Sequence, residues 1–427
     1  MNYKLSQFNV KKKISSSEIA LFNTLKKSMV IMSEKYYDDL AINAISNIQE
    51  LNSLEELGFI LNKEIDEYKV FKYMLNKEKF NSDILTITFL NTRECNFQCT
   101  YCFETDNNSL ENNEYNIENL IDRLIISLKD FYRVKGFKHL DFNFFGGEPT
   151  LNIKSIEDVI NKIKKISDNK FTYSFHLVSN GYLLTKKMLL KLKHLGIESI
   201  QFTLDGDEVS HNKTRKLING DETFKTIYAN LLSAIDLGFD ITLSLNYNFD
   251  NYKNIINLIN FIPDQYKEKI YIKFNEIVGT ITNKENNLNS EERVQIKQIL
   301  YSNEEILKYN MKDIEYLEDG PCLFNKVNSV IINTNGDLSK CLYSIDDNRY
   351  NIGNIYKDDL FNILSFNRSK FAKVHEGNLK CKTCEVLPIC KEGCFREIQD
   401  NNNYCKKESF LQGEINLIFN KLLEGLI

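Results

Sequence analysis

Between residues 83 and 300, six apolar runs alternate with stretches of helical period, and this alternation limits the fold more than any other feature of the chain. The runs are DILTITFL, HLDFNFF, TYSFHLVS, SIQFTLDG, DITLSLNY and KIYIKFNEI. Segments such as IENLIDRLIISLKDFYRV and SIEDVINKIKKIS separate them, with apolar residues recurring every three or four positions. Strands joined through helices lie parallel, so the pattern predicts an α/β fold whose parallel sheet is covered by helices. Six units fall short of the eight of a closed barrel and predict a partial (β/α)6 barrel or an open sheet. Such folds place ligands at the C-terminal ends of the strands, where the unusual residues of this chain also fall.

The first of those ends carries ECNFQCTYCFE, which brings Cys95, Cys99 and Cys102 together in a Cys-x3-Cys-x2-Cys spacing. The chain has 10 cysteines in 427 residues, and the other seven, Cys322, Cys341, Cys381, Cys384, Cys390, Cys394 and Cys405, all lie in the last quarter. A net charge of -5 without a basic patch argues against nucleic acid as a partner. The N-terminus has no apolar signal core and no run of 18 apolar residues occurs, which argues against a membrane. The expected location is the cytoplasm, where thiols stay reduced and cysteine clusters serve metals more than disulfides. Structural zinc takes four ligands, and the next Cys or His after Cys102 is the distant His139. A cubane 4Fe–4S cluster held by three thiolates keeps one iron open.

This loop resembles the hallmark of the radical S-adenosylmethionine (SAM) enzymes, down to the aromatic Tyr101 before the third cysteine. The resemblance implies that Cys95, Cys99 and Cys102 hold a 4Fe–4S cluster whose open iron chelates SAM. Reductive cleavage of SAM then yields a 5′-deoxyadenosyl radical that abstracts hydrogen. Further segments extend the resemblance and imply cofactor contacts. They are Gly146, Gly147 and Glu148 in FFGGEP, Ser179 and Asn180 in VSNG, Thr203 in FTLDG, and Arg215. A glycine pair allows close backbone approach, and a guanidinium suits a carboxylate. Asp205 and Gly206 also read as a strand-ending turn, and His211 as a structural residue.

The last seven cysteines resemble the SPASM domain, the C-terminal extension of radical enzymes that modify peptides and proteins. Cys322 and Cys341 flank Gly336, Cys381-x2-Cys384-x5-Cys390-x3-Cys394 follows, and Cys405 closes the pattern. A pair of zinc ribbons is the competing reading, since Cys-x2-Cys is also a zinc motif. The resemblance implies two auxiliary 4Fe–4S clusters. Cys381, Cys384, Cys390 and Cys405 would fully ligate one. Cys322, Cys341 and Cys394 would hold the other, leaving an iron open to a substrate thiolate, water or a non-Cys side chain.

Three domains follow: 1–80, 81–312 and 313–427. The first predicts three strands and three helices, resembling the winged-helix-like module with which peptide maturases bind a leader peptide as an added strand; an elaboration of the main domain is the alternative. The resulting expectation is a maturase that installs a cross-link, a Cys thioether, in a ribosomally made precursor peptide, supplied with electrons by a donor such as flavodoxin or ferredoxin. Alternatives are an anaerobic sulfatase-maturating (formylglycine-forming) enzyme, a maturase forming carbon–carbon bonds or epimerised residues, and a non-catalytic metal scaffold. Sulfatase-maturating enzymes place an Asp after the second cysteine of the C-terminal domain, where this chain has Leu342. No catalytic acid or base is assigned. Three cubane sites predict roughly twelve irons per chain after anaerobic reconstitution; a plateau near four, or stoichiometric zinc in the native protein, would remove the auxiliary clusters.

Overall fold

The structure, a computed structural model, describes residues 2–102, 116–277, 288–309, 322–360, 362–364, 379–394, 398 and 405–424. The expected boundary at 312/313 and the end of the first cysteine motif, residues 103–104, lie outside them.

The N-terminal region holds β1 (Tyr3–Leu5), β2 (Asn9–Lys13), β3 (Glu18–Asn23), β4 (Ser28–Ser33), α1 (Glu34–Ala41), α2 (Ile48–Glu56), β5 (Ile60–Asn62) and α3 (Glu67–Lys79). Five strands replace the expected three. The first run divides because the Ser6 hydroxyl and the Gln7 N–H both donate to the buried Glu67 carboxylate, at 2.5 and 2.8 Å. That turn sends β1 to pair with β5, while β2, β3 and β4 form an antiparallel sheet of their own.

The expected parallel strands all form: β6 (Ile84–Leu90), β7 (His139–Phe145), β8 (Thr172–Val178), β9 (Ile197–Leu204), β10 (Asp240–Tyr247) and β11 (Ile270–Glu276). Each pairs in parallel with the next. Between and after them run α4 (Ile117–Lys135), α5 (Ile153–Ser167), α6 (Lys186–Leu195), α7 (Glu208–Thr214), α8 (Phe224–Asp236), α9 (Tyr252–Phe261), α10 (Asp264–Lys267) and α11 (Ser290–Tyr301). α4 shows the local logic: Asn116 caps its first turn through the Asn119 N–H, a stripe of six apolar residues is buried together with Ser127, and Gly136 closes it in the left-handed region. Among the described residues the sheet continues past β6 into the cysteine-rich region. β12 (Ser329–Ile332) joins β6 in parallel, and β13 (Asp337–Ser339) and β14 (Asn351–Asn354) follow antiparallel. The partial barrel and the segment carrying Cys322 and Cys341 therefore share one backbone ladder.

The two faces of the barrel sheet differ. Phe142, Phe144, Phe175, Ile200, Phe202 and Leu243 are fully or almost fully buried in one apolar core with residues of α4, α5, α6, α8 and α9. Each such side chain contributes roughly 1.5–3 kcal/mol by leaving water. Their neighbours at period two, among them Asp141, Asn143, Ser174, His176 and Ser199, are polar and half-buried on the opposite face. Towards the C-terminus come α12 (Leu387–Cys390) and α13, a helix in three stretches, Lys407–Phe410, the wide π-turn Leu411–Ile415 and Asn416–Leu423. Among the described residues no helix is long and apolar enough to cross a membrane.

Candidate functional site

The loop after β6 is fixed on two sides before any cysteine is considered. On one side it runs antiparallel to the segment after α7: Gln98 N–H donates to Lys216 O at 2.9 Å, Thr100 N–H to Thr214 O at 3.1 Å, and Ile218 N–H to Asn96 O at 3.1 Å. On the other side lie Gly146 and Gly147. A Cβ on Gly146 would meet Thr92 O at 2.2 Å, and one on Gly147 would meet Glu94 O at 2.2 Å. The close approach the glycine pair allows is thus to the chain's own backbone leading into Cys95.

Glu148 follows and is wholly buried. Its Oε1 accepts from Thr150 N–H (3.1 Å), Thr150 Oγ1 (2.5 Å) and Ser179 Oγ (2.9 Å); its Oε2 accepts from Asn180 N–H (2.7 Å). Burial raises its pKa and these four donors pull it back. Glu148 therefore ties the loop after β7 to the loop after β8. Asn180 passes the connection on, donating to Asn96 Oδ1 at 2.8 Å and, at 4.0 Å, to Cys95 Sγ.

Tyr101 is the second hub. Its hydroxyl donates to Asp205 Oδ1 at 2.8 Å and accepts from Arg215 Nη1 and Asn246 Nδ2, each at 3.0 Å. Asp205 Oδ2 accepts from Thr214 Oγ1 at 2.8 Å. Burial pushes Asp205 upward while Arg215, Tyr101 and Thr214 pull it back. Arg215 is 7% exposed, and among the described residues its Nε has no hydrogen-bond partner and no carboxylate lies within ion-pair distance. Asn96 Nδ2 is likewise buried without a partner. His211 is structural: its Nδ1 accepts from Asp205 N–H at 3.3 Å and its Nε2 lies 3.0 Å from Thr223 Oγ1, which donates to Arg215 O at 2.6 Å. Burial, with Arg215 nearby, lowers its pKa to about 2. Thr203 is buried in β9 beside Ser244 of β10. A cavity of about 390 Å³ opens next to Tyr101, lined by Thr100, Lys213, Thr214, Asn248 and Asn251 among others.

All ten cysteines are among the described residues and none is in a disulfide. They sort into three neighbourhoods by the charges each thiol feels. Cys95 feels Cys99 and Cys102; Cys341 feels Cys322 and Cys394; Cys390 feels Cys381, Cys384 and Cys405. Burial pushes Cys95 up to about 12, with the Glu148 carboxylate adding to it, and Cys99 up to about 11 against the pull of Arg215. Burial takes Cys390 to about 12 as well. Among the described residues no three His, Cys, Asp or Glu side chains are close enough to share a single ion.

Comparison with known proteins gives this architecture a family. Residues 91–262 match the radical SAM superfamily, and residues 322–394 match the SPASM iron–sulfur cluster-binding domain. This is a radical SAM enzyme with an SPASM domain. The radical SAM cyclopropyl synthase TigE of Paramaledivibacter caminithermalis is 28% identical over 262 residues, 56% of this chain but only 50% of that protein. A cysteine-type anaerobic sulfatase-maturating enzyme of Clostridium perfringens is 26% identical over 338 residues, 71% of this chain and 86% of the relative. Among solved structures, native anSMEcpe with bound AdoMet superposes with a TM-score of 0.65 at 18% identity, covering 78% of this chain and 98% of that one. Streptococcus suis SuiB bound to precursor peptide SuiA gives 0.55 at 14%, covering 93% and 97%. At these identities the superpositions speak for the fold.

The residues fit the cofactors of this superfamily. Sulfur donors from one short loop suit an iron–sulfur cluster, and thiols this strongly protonated when metal-free exchange the proton for a metal's charge on binding. The buried guanidinium of Arg215 has donor capacity for an anion. Sequence reasoning left Asp205 open as a turn residue and did not single out Asn246, His176, Asp141 or Lys340. The signal for His176 and Asp141 was the polar alternation of HLDFNFF and TYSFHLV, unexpected in a parallel sheet buried on both faces. In the barrel His176 Nε2 lies 3.1 Å from Asp141 Oδ1, and Nδ1 lies 2.6 Å from Ser199 Oγ. Lys340, buried beside Cys322, donates to Ser329 O and Oγ at 2.7 Å, and burial lowers its pKa to about 7. Nothing local in SKC foretells that burial.

Two outcomes are expected. Tyr101→Phe leaves Arg215 Nη1 and Asn246 Nδ2 without their buried acceptor and should cost about 1–3 kcal/mol, read as a lower urea midpoint at unchanged slope. His211 is held neutral with its pKa near 2, against an ordinary 6.5. Its contribution is complete above that ordinary value and is lost as pH falls below it, because the unfolded chain then binds the extra proton. Metal-free protein should lose stability between pH 6 and 5 more steeply than His211→Gln, by up to about 1.4 kcal/mol per pH unit; parallel slopes would show that His211 is not held neutral.

Proposed function

We propose that the enzyme matures a ribosomally made precursor peptide, and that it forms a thioether from a substrate Cys. In this reading Cys95, Cys99 and Cys102 hold the SAM-binding 4Fe–4S cluster. Tyr101, Gly146, Gly147, Glu148, Ser179, Asn180, Thr203 and Arg215 shape the SAM pocket. The chemistry that the cluster and SAM supply when bound is hydrogen-atom abstraction from carbon. The chain's own residues do the positioning. Arg215 presents unmet N–H donors to the SAM carboxylate, Tyr101 and Asp205 fix its orientation, and Glu148 locks the loops after β7 and β8 around the amino-group end.

Cys381, Cys384, Cys390 and Cys405 are assigned to one auxiliary cluster, and Cys322, Cys341 and Cys394 to the other. The separate neighbourhoods of the two thiol sets support that division. Three thiolates for four irons leave a place for the substrate thiolate. A reducing partner such as flavodoxin or ferredoxin would supply electrons.

The observation that carries the peptide reading is the N-terminal module. The SuiB likeness covers 93% of the chain, so it extends into the first 80 residues, and SuiB was solved with a precursor peptide. β4 is an edge of the small sheet, with Ile31 of that strand 44% exposed, and so offers a place for an added leader strand. The likeness to sulfatase-maturating enzymes over 86% of the Clostridium perfringens protein keeps formylglycine formation as a second reading; Leu342 in place of the Asp after the second cysteine weighs against it.

Mass spectrometry of the partner peptide, taken from a short Cys-containing reading frame beside this gene, decides between them. A thioether keeps the sulfur, loses two hydrogens per bridge and protects the Cys from alkylation. Loss of the sulfur from Cys would establish formylglycine formation. A two-hydrogen loss with every Cys still alkylatable would establish a carbon–carbon or other bond.

A further inference from the structure

The loop from Cys381 to Cys394 has little regular structure to hold its shape. It contains a 3-10 turn at Leu379–Cys381 and the four-residue α12, then three successive left-handed residues, Lys391 (φ 49°), Glu392 (φ 74°) and Gly393 (φ 82°). That conformation is unfavourable for Lys and Glu and persists only where surroundings impose it. The surroundings are the N-terminal module. Gln7 Nε2 donates to Lys382 O at 3.1 Å, and Thr24 Oγ1 donates to Glu385 O at 2.5 Å. Leu387 is buried in one cluster with Phe8, Phe71 and Leu75, against which Cys381 and Cys384 themselves pack. Val386 and Ile389 share a second cluster with Val10 and Phe22 of the small sheet and with α13. At the apex of the left-handed turn, the Glu392 side chain is 8% exposed and takes one lysine of α3 on each oxygen, Lys72 on Oε1 and Lys79 on Oε2, the latter at 2.7 Å.

We propose that residues 1–80 are a structural part of the Cys381/Cys384/Cys390/Cys405 site, so that occupancy of that site and the seating of the N-terminal module are thermodynamically linked. The proposal rests on the ligand assignment made under Proposed function. Its physical basis is reciprocity. A cluster bound to the ordered loop stabilises the loop shape onto which Phe8, Phe71 and the two lysines fit, and the seated module in turn lowers the cost of ordering four thiols. Cys390 and Cys394, the two ends of the left-handed turn, are assigned to different clusters. The Glu392 clamp therefore also sets the joint between the two auxiliary sites, and a peptide held by the module would bear on both. The module is thus more than a detachable leader-binding unit.

Hydrogen exchange of the full-length protein tests the link without a peptide substrate. Reconstituted wild type, Cys384→Ser and Cys99→Ser are compared in β3 and α3, with iron measured in each. Cys384→Ser should lose auxiliary iron and speed exchange in α3 on the order of tenfold, as sub-global opening of a released module requires. Cys99→Ser should lose iron without that change. In the reverse direction, Lys72→Met with Lys79→Met should lower iron per chain while the electron paramagnetic resonance signal of the Cys95/Cys99/Cys102 cluster persists. Loss of auxiliary iron from Cys384→Ser with wild-type exchange in α3 overturns the linkage alone. A wild type that takes up no more iron than Cys384→Ser overturns the ligand assignment, and the linkage with it.

Discussion

Arg215 is a cation kept out of water, and the top of the barrel is arranged around it. A guanidinium that is 7% exposed, without a carboxylate in ion-pair reach among the described residues, carries a large desolvation cost. The chain meets part of that cost with dipoles. The Tyr101 oxygen accepts from Nη1, the Phe97 ring lies 5.6 Å from the guanidinium carbon, and the charge of Asp205 is relayed through the Tyr101 hydroxyl. The cation is thereby stabilised without being neutralised. Among the described residues its Nε remains unsatisfied, so the guanidinium keeps donor capacity for an anion.

The same economy appears in Glu148. A buried carboxylate could have served as a ligand-binding charge. Here it accepts four donors from Thr150, Ser179 and Asn180 and acts as the rivet between two strand ends. The loop with Cys95, Cys99 and Cys102 is held against that rivet by two glycines and by a backbone ladder to residues 214–218. Thiol positions are thus set by backbone contacts whose disruption would move all three together.

The domains are less separate than their order in the chain implies. β12 continues the barrel sheet through β6, Arg93 at the entry to the first cysteine loop pairs with Asp346 at 2.7 Å, and the N-terminal sheet rests on the last cysteine loop and α13. The barrel, the cysteine-rich segment and the N-terminal region are thus joined in series through packed contacts.

The sequence by itself determined the parallel barrel and the family. HLDFNFF and DITLSLNY are β7 and β10 to the residue, because a strand's period of two and a helix's period of 3.6 are local properties of apolar placement. The cysteine spacings are equally local, and their resemblance to the radical SAM and SPASM patterns implied three groups of thiols. Tertiary structure alone decided the rest. The division of the first run into β1 and β2 depends on Glu67, some 60 residues away. The hub at Tyr101 joins residues up to 145 positions apart. The burial of Lys340 and the clamp of Lys72 and Lys79 on Glu392 depend on which surfaces meet. Hydrogen bonds and charge pairs of this kind leave no periodicity in a sequence, since their partners are chosen by the fold and their strength by how far it excludes water.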